Sequence, residues 1–290
     1  MDRYNGKYRK QTMIMENFNE KLEKAKTISA TNMTDDVYKK ILSLIDLTSL
    51  NNTDTESKII GLVQKVNSFS VSYPHYPQVA AVCVYPNFAS VVKENLKDSN
   101  VKIAVVGGVF PSSQSFVQIK KAECAMAVEM GADEVDIVLS LSNFLEDKME
   151  QASFEISTIK ESIGDAHLKV ILESGSIKVP EMVYKASMLA MQSGADFIKT
   201  STGKSDPAAT PEAAVVMCTA IYDYYRQTGK KIGFKPAGGI SETADAVLYY
   251  SIVQTILGPE WLNSNLFRIG ASRLANNLLS QLDNKQTNYF

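Results

Sequence analysis

Four charged residues interrupt otherwise apolar runs: Asp136 in EVDIVLS, Lys169 in LKVILES, Lys199 in DFIKTSTG and Lys235 in IGFKPAGG. Any one of them, taken singly, reads as a strand-end residue reaching solvent. Four in consecutive runs point elsewhere, because an unpaired buried charge is expensive and such groups gather where they satisfy one another. A lysine amine normally titrates near 10.4, and burial together with neighbouring positive charge favours its neutral, nucleophilic form. A single carboxylate among three amines cannot neutralise them all, and is left able to hold a water or pass a proton. The chemistry predicted is attack of an amine on a carbonyl.

The stretch GADFIKTSTGK carries two lysines of different kind. Lys199 ends a strand and can aim inward, whereas Lys204 follows Gly203 in a loop and can meet an anion from outside. Three late loops are built from small residues: TSTG at 200–203, AGG at 237–239 and GAS at 270–272. Glycines let backbone amides approach an anion closely, and Ser272 can add its hydroxyl at the start of a helix, so the loops predict a phosphate seat. Tight turns with a helix cap are the plainer reading of each loop alone. GKS at 203–205 is not a P-loop, since that motif wants a glycine where Ile198 stands.

These residues need elements to hold them. Eight apolar runs recur: ILSLIDLT at 41–48, QVAAVCVYP at 78–86, VKIAVVGG at 101–108, EVDIVLS at 134–140, LKVILES at 168–174, DFIKTSTG at 196–203, IGFKPAGG at 232–239 and LFRIGAS at 266–272. From the second onward they start about 20 to 40 residues apart, the length of a strand, a helix and the return. Most lack strict polar alternation, as parallel strands covered by helices do. Helices are predicted over 114–131 and 210–229; the second has Thr210 as N-cap, Pro211 at the first position and Gly229 at the stop. Eight such units predict a (β/α)8 TIM barrel with a short N-terminal helical extension, with an open doubly wound sheet as the runner-up. Residues 1–35 read as a peripheral helical extension, 36–283 as the barrel and 284–290 as a flexible tail. The barrel places function at the C-terminal ends of its strands.

Composition narrows the partners. The 290 residues are 45% hydrophobic, enough to fill a core. A formal charge of −2 and a pI near 5.8 argue against a general nucleic-acid or membrane-surface protein while leaving room for a local basic pocket. Cys83, Cys124 and Cys218 are far apart, which fits a reduced compartment. With only His75 and His167 available, the usual metal ligand sets are poorly supplied, and neither a catalytic metal nor another cofactor is expected. No apolar run is long enough to span a bilayer, and the polar first residues lack the apolar core of a secretory signal; cytoplasm is the default expectation.

The runs LIDLTSLN, VCVYP, GADEVDIV, LKVILES, GADFIKTSTGK, GFKPAGGI and RIGAS, spread over about residues 43–273, resemble the deoxyribose-phosphate aldolase family of class I aldolases. The resemblance implies reversible cleavage of 2-deoxy-D-ribose 5-phosphate to D-glyceraldehyde 3-phosphate and acetaldehyde through a lysine Schiff base. It implies Lys199 as the imine-forming lysine, Lys235 as the second active-site amine, Asp136 as the proton-relay carboxylate and Lys169 as a supporting charge. It further implies Asp46 near substrate hydroxyls, Cys83 beside the site, and Gly203, Lys204, Gly238, Gly239, Gly270 and Ser272 around the phosphate. Some members carry a C-terminal tyrosine that assists proton transfer, a place Tyr289 would take, and a homodimer is implied. Two departures stand out: Arg273 where the family often has serine, and VVGGVFPSS after the third strand. Another lysine-dependent aldolase or transaldolase, or a barrel that binds sugar phosphate without turning it over, remain the alternatives.

Overall fold

All eight runs form strands in the computed structural model, which describes residues 18–290: β1 Ile45–Thr48, β2 Ala81–Val84, β3 Lys102–Val106, β4 Glu134–Val138, β5 His167–Ile171, β6 Phe197–Lys199, β7 Gly233–Lys235 and β8 Ile269–Ala271. Each pairs in parallel with its neighbours in the order β7-β6-β5-β4-β3-β2-β1-β8. The two ends meet through bridges between Phe234 and Phe267 and between Ala237 and Gly270. There Phe234 N donates to Leu266 O at 2.9 Å and Gly270 N to Pro236 O at 3.0 Å, so the sheet closes into the (β/α)8 barrel.

Period-two alternation sorts each strand into an inward and an outward set. The outward residues, such as Val82, Val105, Val135, Val170, Ile198 and Phe234, join the large apolar cluster beneath the helices. The inward residues divide the lumen. Ala81, Cys83, Ala104 and Val106 of β2 and β3 form a small separate apolar cluster with Leu50. Opposite them the inward positions of β4 to β7, with Asp46 of β1 and Arg268 just before β8, carry buried charge.

Helices cover the barrel between strands. Pro211–Thr228 starts as predicted: Thr210 accepts a hydrogen bond from Ala213 N at 3.2 Å, and Gly229 closes it with φ 73°. The helix predicted over 114–131 spans Val117–Glu129. A helix over residues 18–31 buries Phe18, Leu22 and Ala25. It is tied down by Lys21 Nζ donating to Thr219 Oγ1 at 3.2 Å, and Asn32 Nδ2 just beyond it donates to Gln254 Oε1 at 2.8 Å. The earlier part of the expected extension lies outside the described residues. Residues 284–290, expected as a flexible tail, have no regular secondary structure but fold back on the domain. The backbone N–H groups of Tyr289 and Phe290 both donate to Asn276 Oδ1 at 2.9 Å, and both rings pack on Phe69.

Candidate active site

Strand register brings the interrupting charges together. Asp136 on β4 pairs with Lys169 on β5, and Lys199 on β6 with Lys235 on β7, so in each pair the side chains leave the same face. All four are buried in the lumen. Lys199 Nζ and Lys235 Nζ each donate to Asp136 Oδ2 at 2.8 Å, and Lys169 Nζ donates to Asp136 Oδ1 at 3.0 Å.

The lumen holds more charge than these four. Asp46, on β1, lies 2.5 Å from Lys235 Nζ through its Oδ2; the contact is ionic, with poor hydrogen-bond alignment. Its Oδ1 accepts from Arg268 at 2.6 Å. Arg268 donates as well to Glu134 Oε1 at 2.8 Å and to the backbone oxygen of Ser264, and Lys169 Nζ donates to Glu134 Oε2 at 2.6 Å. Glu134 and Arg268 were not singled out from sequence, although Arg268 interrupts an apolar run and Glu134 opens one. Glu134 stands two residues before Asp136, and Arg268 two before Gly270, spacings that place them on the lumen face.

Electrostatics separate the three lysines. Burial lowers the Lys199 amine below its ordinary value and the charge of Lys235 pushes the same way, against the attraction of Asp136. Burial also works against the charge on Lys169, yet Asp136 and Glu134 hold that amine above its usual range. Lys235 is likewise raised, by Asp136 and Asp46 against burial. Asp136 is held well below the carboxylate range by the three lysines despite its burial. Lys199 is therefore the amine most easily stripped of its proton.

Above Lys199 a cavity of about 220 Å³ opens at the C-terminal ends of β1, β6, β7 and β8. Its wall includes Gly203, Lys204, Gly238, Gly239, Gly270 and Ser272, the six residues expected around phosphate, and also Arg273. Gly238 has φ 89°, and a Cβ there would lie 2.7 Å from Ala208 Cβ and 2.9 Å from Gly203 Cα, so only glycine lets the two loops touch. Glu173, a third residue not singled out from sequence, braces the 200–203 loop: its carboxylate accepts from Thr202 N at 3.1 Å and from Thr202 Oγ1 at 2.6 Å. Lys204 Nζ donates to Leu50 O at 2.5 Å, which holds it across the cavity mouth.

Cys83 faces the lumen from the apolar wall, where burial raises its thiol above the ordinary value. Tyr289 does not join the group. Its hydroxyl donates to Lys65 O at 2.8 Å and its ring meets Phe69 and Tyr73 edge-on, and it is absent from the cavity wall. Aromatic packing on the helix Glu56–Ser72 holds it there.

A closed (β/α)8 barrel with an amine poised in its lumen under a loop-lined cavity is the arrangement of a lysine-dependent aldolase. The chain belongs to the DeoC/LacD aldolase family, whose model matches residues 40–250. A Caenorhabditis elegans relative is 44% identical over 251 residues, 85% of this chain and 82% of its own. The deoxyribose-phosphate aldolase of Homo sapiens is 41% identical over 258 residues, 84% of this chain and 80% of its own. A solved Coccidioides immitis chain is 25% identical and superposes with a TM-score of 0.71, covering 91% of this chain and 97% of that one.

Proposed function

We propose that the protein is a class I aldolase that reversibly cleaves 2-deoxy-D-ribose 5-phosphate to D-glyceraldehyde 3-phosphate and acetaldehyde, with Lys199 as the imine-forming residue. The observation that carries the reading is the position of the Lys199 amine, 2.8 Å from the Asp136 carboxylate at the floor of the loop-lined cavity. Kinship with the deoxyribose-phosphate aldolase of Homo sapiens supports the choice of sugar.

Neutral Lys199 attacks C1 of the open-chain sugar to give a carbinolamine, and loss of water leaves a protonated imine. That imine is the electron sink for the pair released when the C2–C3 bond breaks. Asp136, directly or through a water, takes the C3 hydroxyl proton, and D-glyceraldehyde 3-phosphate departs. Protonation of the enamine carbon and hydrolysis return Lys199 and release acetaldehyde. Lys235 contributes its charge, which disfavours protonation of Lys199 and stabilises developing negative charge. Lys169 holds Asp136 in place, and Asp46 fixes Lys235 within reach of the substrate hydroxyls. The phosphate sits against the amides of Gly203, Gly238, Gly239 and Gly270, with Ser272 and Lys204 completing the contacts. Cys83 gives the apolar wall against which the two-carbon fragment rests.

The reading extends to the whole chain as a barrel over 36–283 with a helical extension before it. No described helix is long and apolar enough to cross a membrane, which suits the cytoplasmic setting we assign. Exposed Phe116, Ile119, Met126 and Phe154 on neighbouring helices offer apolar surface for a homodimer, an assembly that sedimentation reads directly.

Incubation with deoxyribose 5-phosphate and borohydride, followed by intact mass and peptide mapping, tests the chemistry. A reduced adduct on Lys199 that vanishes in Lys199→Arg is expected. A folded protein that binds the sugar phosphate but yields no adduct is a binder and not an aldolase.

A further inference from the structure

The buried charges form a pattern that the proposed chemistry does not itself require. Traced from one contact to the next, they run Asp136, Lys235, Asp46, Arg268, Glu134, Lys169 and back to Asp136. The six links are 2.8 Å, 2.5 Å, 2.6 Å, 2.8 Å, 2.6 Å and 3.0 Å. The sign alternates at every step, so three carboxylates and three cations close into a ring of no net charge. Lys199 stands outside it, attached only through Asp136. Four strands, β1, β4, β5 and β7, supply five of its members and Arg268 stands just before β8; none is more than slightly exposed.

We propose that Arg268 and Glu134, which lie on the far side of this ring from Lys199, are positioning residues that set the protonation of the reactive amine by keeping the ring electrically balanced. With the ring at zero, a proton on Lys199 would be the one uncompensated charge in a buried lumen, so the amine sheds it readily. Removing a cation leaves a surplus anion that Lys199 can neutralise by keeping its proton. Removing an anion does the reverse. The effect travels through space and through Asp46 and Lys169, since neither Arg268 nor Glu134 contacts Lys199.

The other groups facing Lys199 do not disturb this count. On β2 the facing group is Cys83, a thiol raised by burial; β3 presents Ala104 and Val106 with Lys102 exposed at the far end of that face, and on β5 His167, exposed to water that screens it, lies 4.0 Å from Glu134 Oε1. Lys204 and Arg273 border the cavity above and are solvent-exposed, where water and salt screen them. The proposal rests on the reading of Lys199 as the imine-forming amine.

The test measures the initial rate of cyanoborohydride-trapped adduct formation with acetaldehyde, a substrate with no titrating group, as a function of pH. In Arg268→Met the acid limb should move to higher pH, and in Glu134→Gln to lower pH, each by about one unit for a buried charge several ångströms away. The double variant R268M/E134Q, balanced again, should return the limb toward that of the unaltered protein, and Arg268→Lys should barely move it. Loss of structure alone does not produce shifts of opposite sign that cancel in combination. Limbs that stay put, or that move the same way in both single variants, overturn the proposal. Should Arg268→Met not fold, as judged by near-ultraviolet circular dichroism, Glu134→Gln decides by its sign: an unmoved or raised limb overturns the ring. The two readings fail differently. No adduct on Lys199 in the unaltered protein ends the aldolase assignment and the ring's role with it, whereas adduct formation with unmoved limbs ends the ring's role alone.

Discussion

Lys199 and Lys235 are chemically identical side chains on adjacent strands, and their neighbours give them opposite tendencies. Lys235 touches two carboxylates and is held protonated; Lys199 touches one carboxylate that it shares with two other amines. Replacing Lys235 with leucine removes the nearest cation, so Lys199 should hold its proton to higher pH. The rate at neutral pH should fall on the order of a hundredfold through the combined loss of free amine and of charge stabilisation. A pH-rate profile of Lys235→Leu checks both: a limb moved upward with reduced plateau is expected, and an unchanged profile removes Lys235 from the mechanism. The three lysines and Asp136 were legible in sequence because a charge inside an apolar run is visible without a structure. Arg268 carried that same signal, and Glu134 opens such a run. Their partners, however, are strands apart in the chain, and no local pattern shows that Arg268 answers Glu134 across 134 positions.

At the scale of the element, the strands were legible from their apolar runs and most of the cavity-lining loops from their glycines. The loop that holds them in shape was less so. Glu173 occupies a left-handed backbone position, φ 52°, and from there reaches the 200–203 loop. Nothing in LKVILES announces that. The contact of Gly238 with Gly203 shows how little room the loops have. Gly238→Ala should separate them and raise KM for deoxyribose 5-phosphate about tenfold, as expected when backbone donors to a phosphate lose alignment. Turnover of unphosphorylated 2-deoxyribose should change little. Equal losses on both sugars would mean that the substitution disturbs Lys199 and not the seat. The C-terminal segment taught a different lesson: NKQTNY is polar by composition, yet the final Tyr289 and Phe290 find Phe69, a match that only the folded surface reveals.

For the molecule as a whole, a barrel whose lumen is filled by ion pairs has a characteristic response to acid. Asp46, Glu134 and Asp136 are all held below their ordinary values, against burial, by the cations around them. Groups depressed in the folded state contribute stability that is complete above their unfolded values and is lost as pH falls through the folded ones. Lys169, Lys235 and Arg268 are raised, so their contribution is complete below their unfolded values and declines only in strong alkali. Lys199, lowered, works the other way and opposes stability while it is protonated. The six ring groups should therefore leave urea midpoints unchanged through neutral pH and make them fall steadily below about pH 4, the ordinary carboxylate range. Glu134→Gln should flatten the acid decline. A midpoint that instead rises between neutral and mildly acidic pH would mean that these carboxylates are not ionised in the folded protein.

The burial of the charged lumen also bears on the reaction. When the C2–C3 bond breaks, the electron pair neutralises the imine nitrogen while Asp136, by accepting a proton, loses its own charge. Asp136 is one of the three carboxylates that balance the ring, so its protonation moves the uncompensated charge from the imine nitrogen to Lys169 and Lys235. Buried cations left without their carboxylate are costly, and the ring drives Asp136 to give the proton up again. The same ring that keeps Lys199 reactive thus makes Asp136 a short-lived proton carrier, which hands its proton on to complete the cycle.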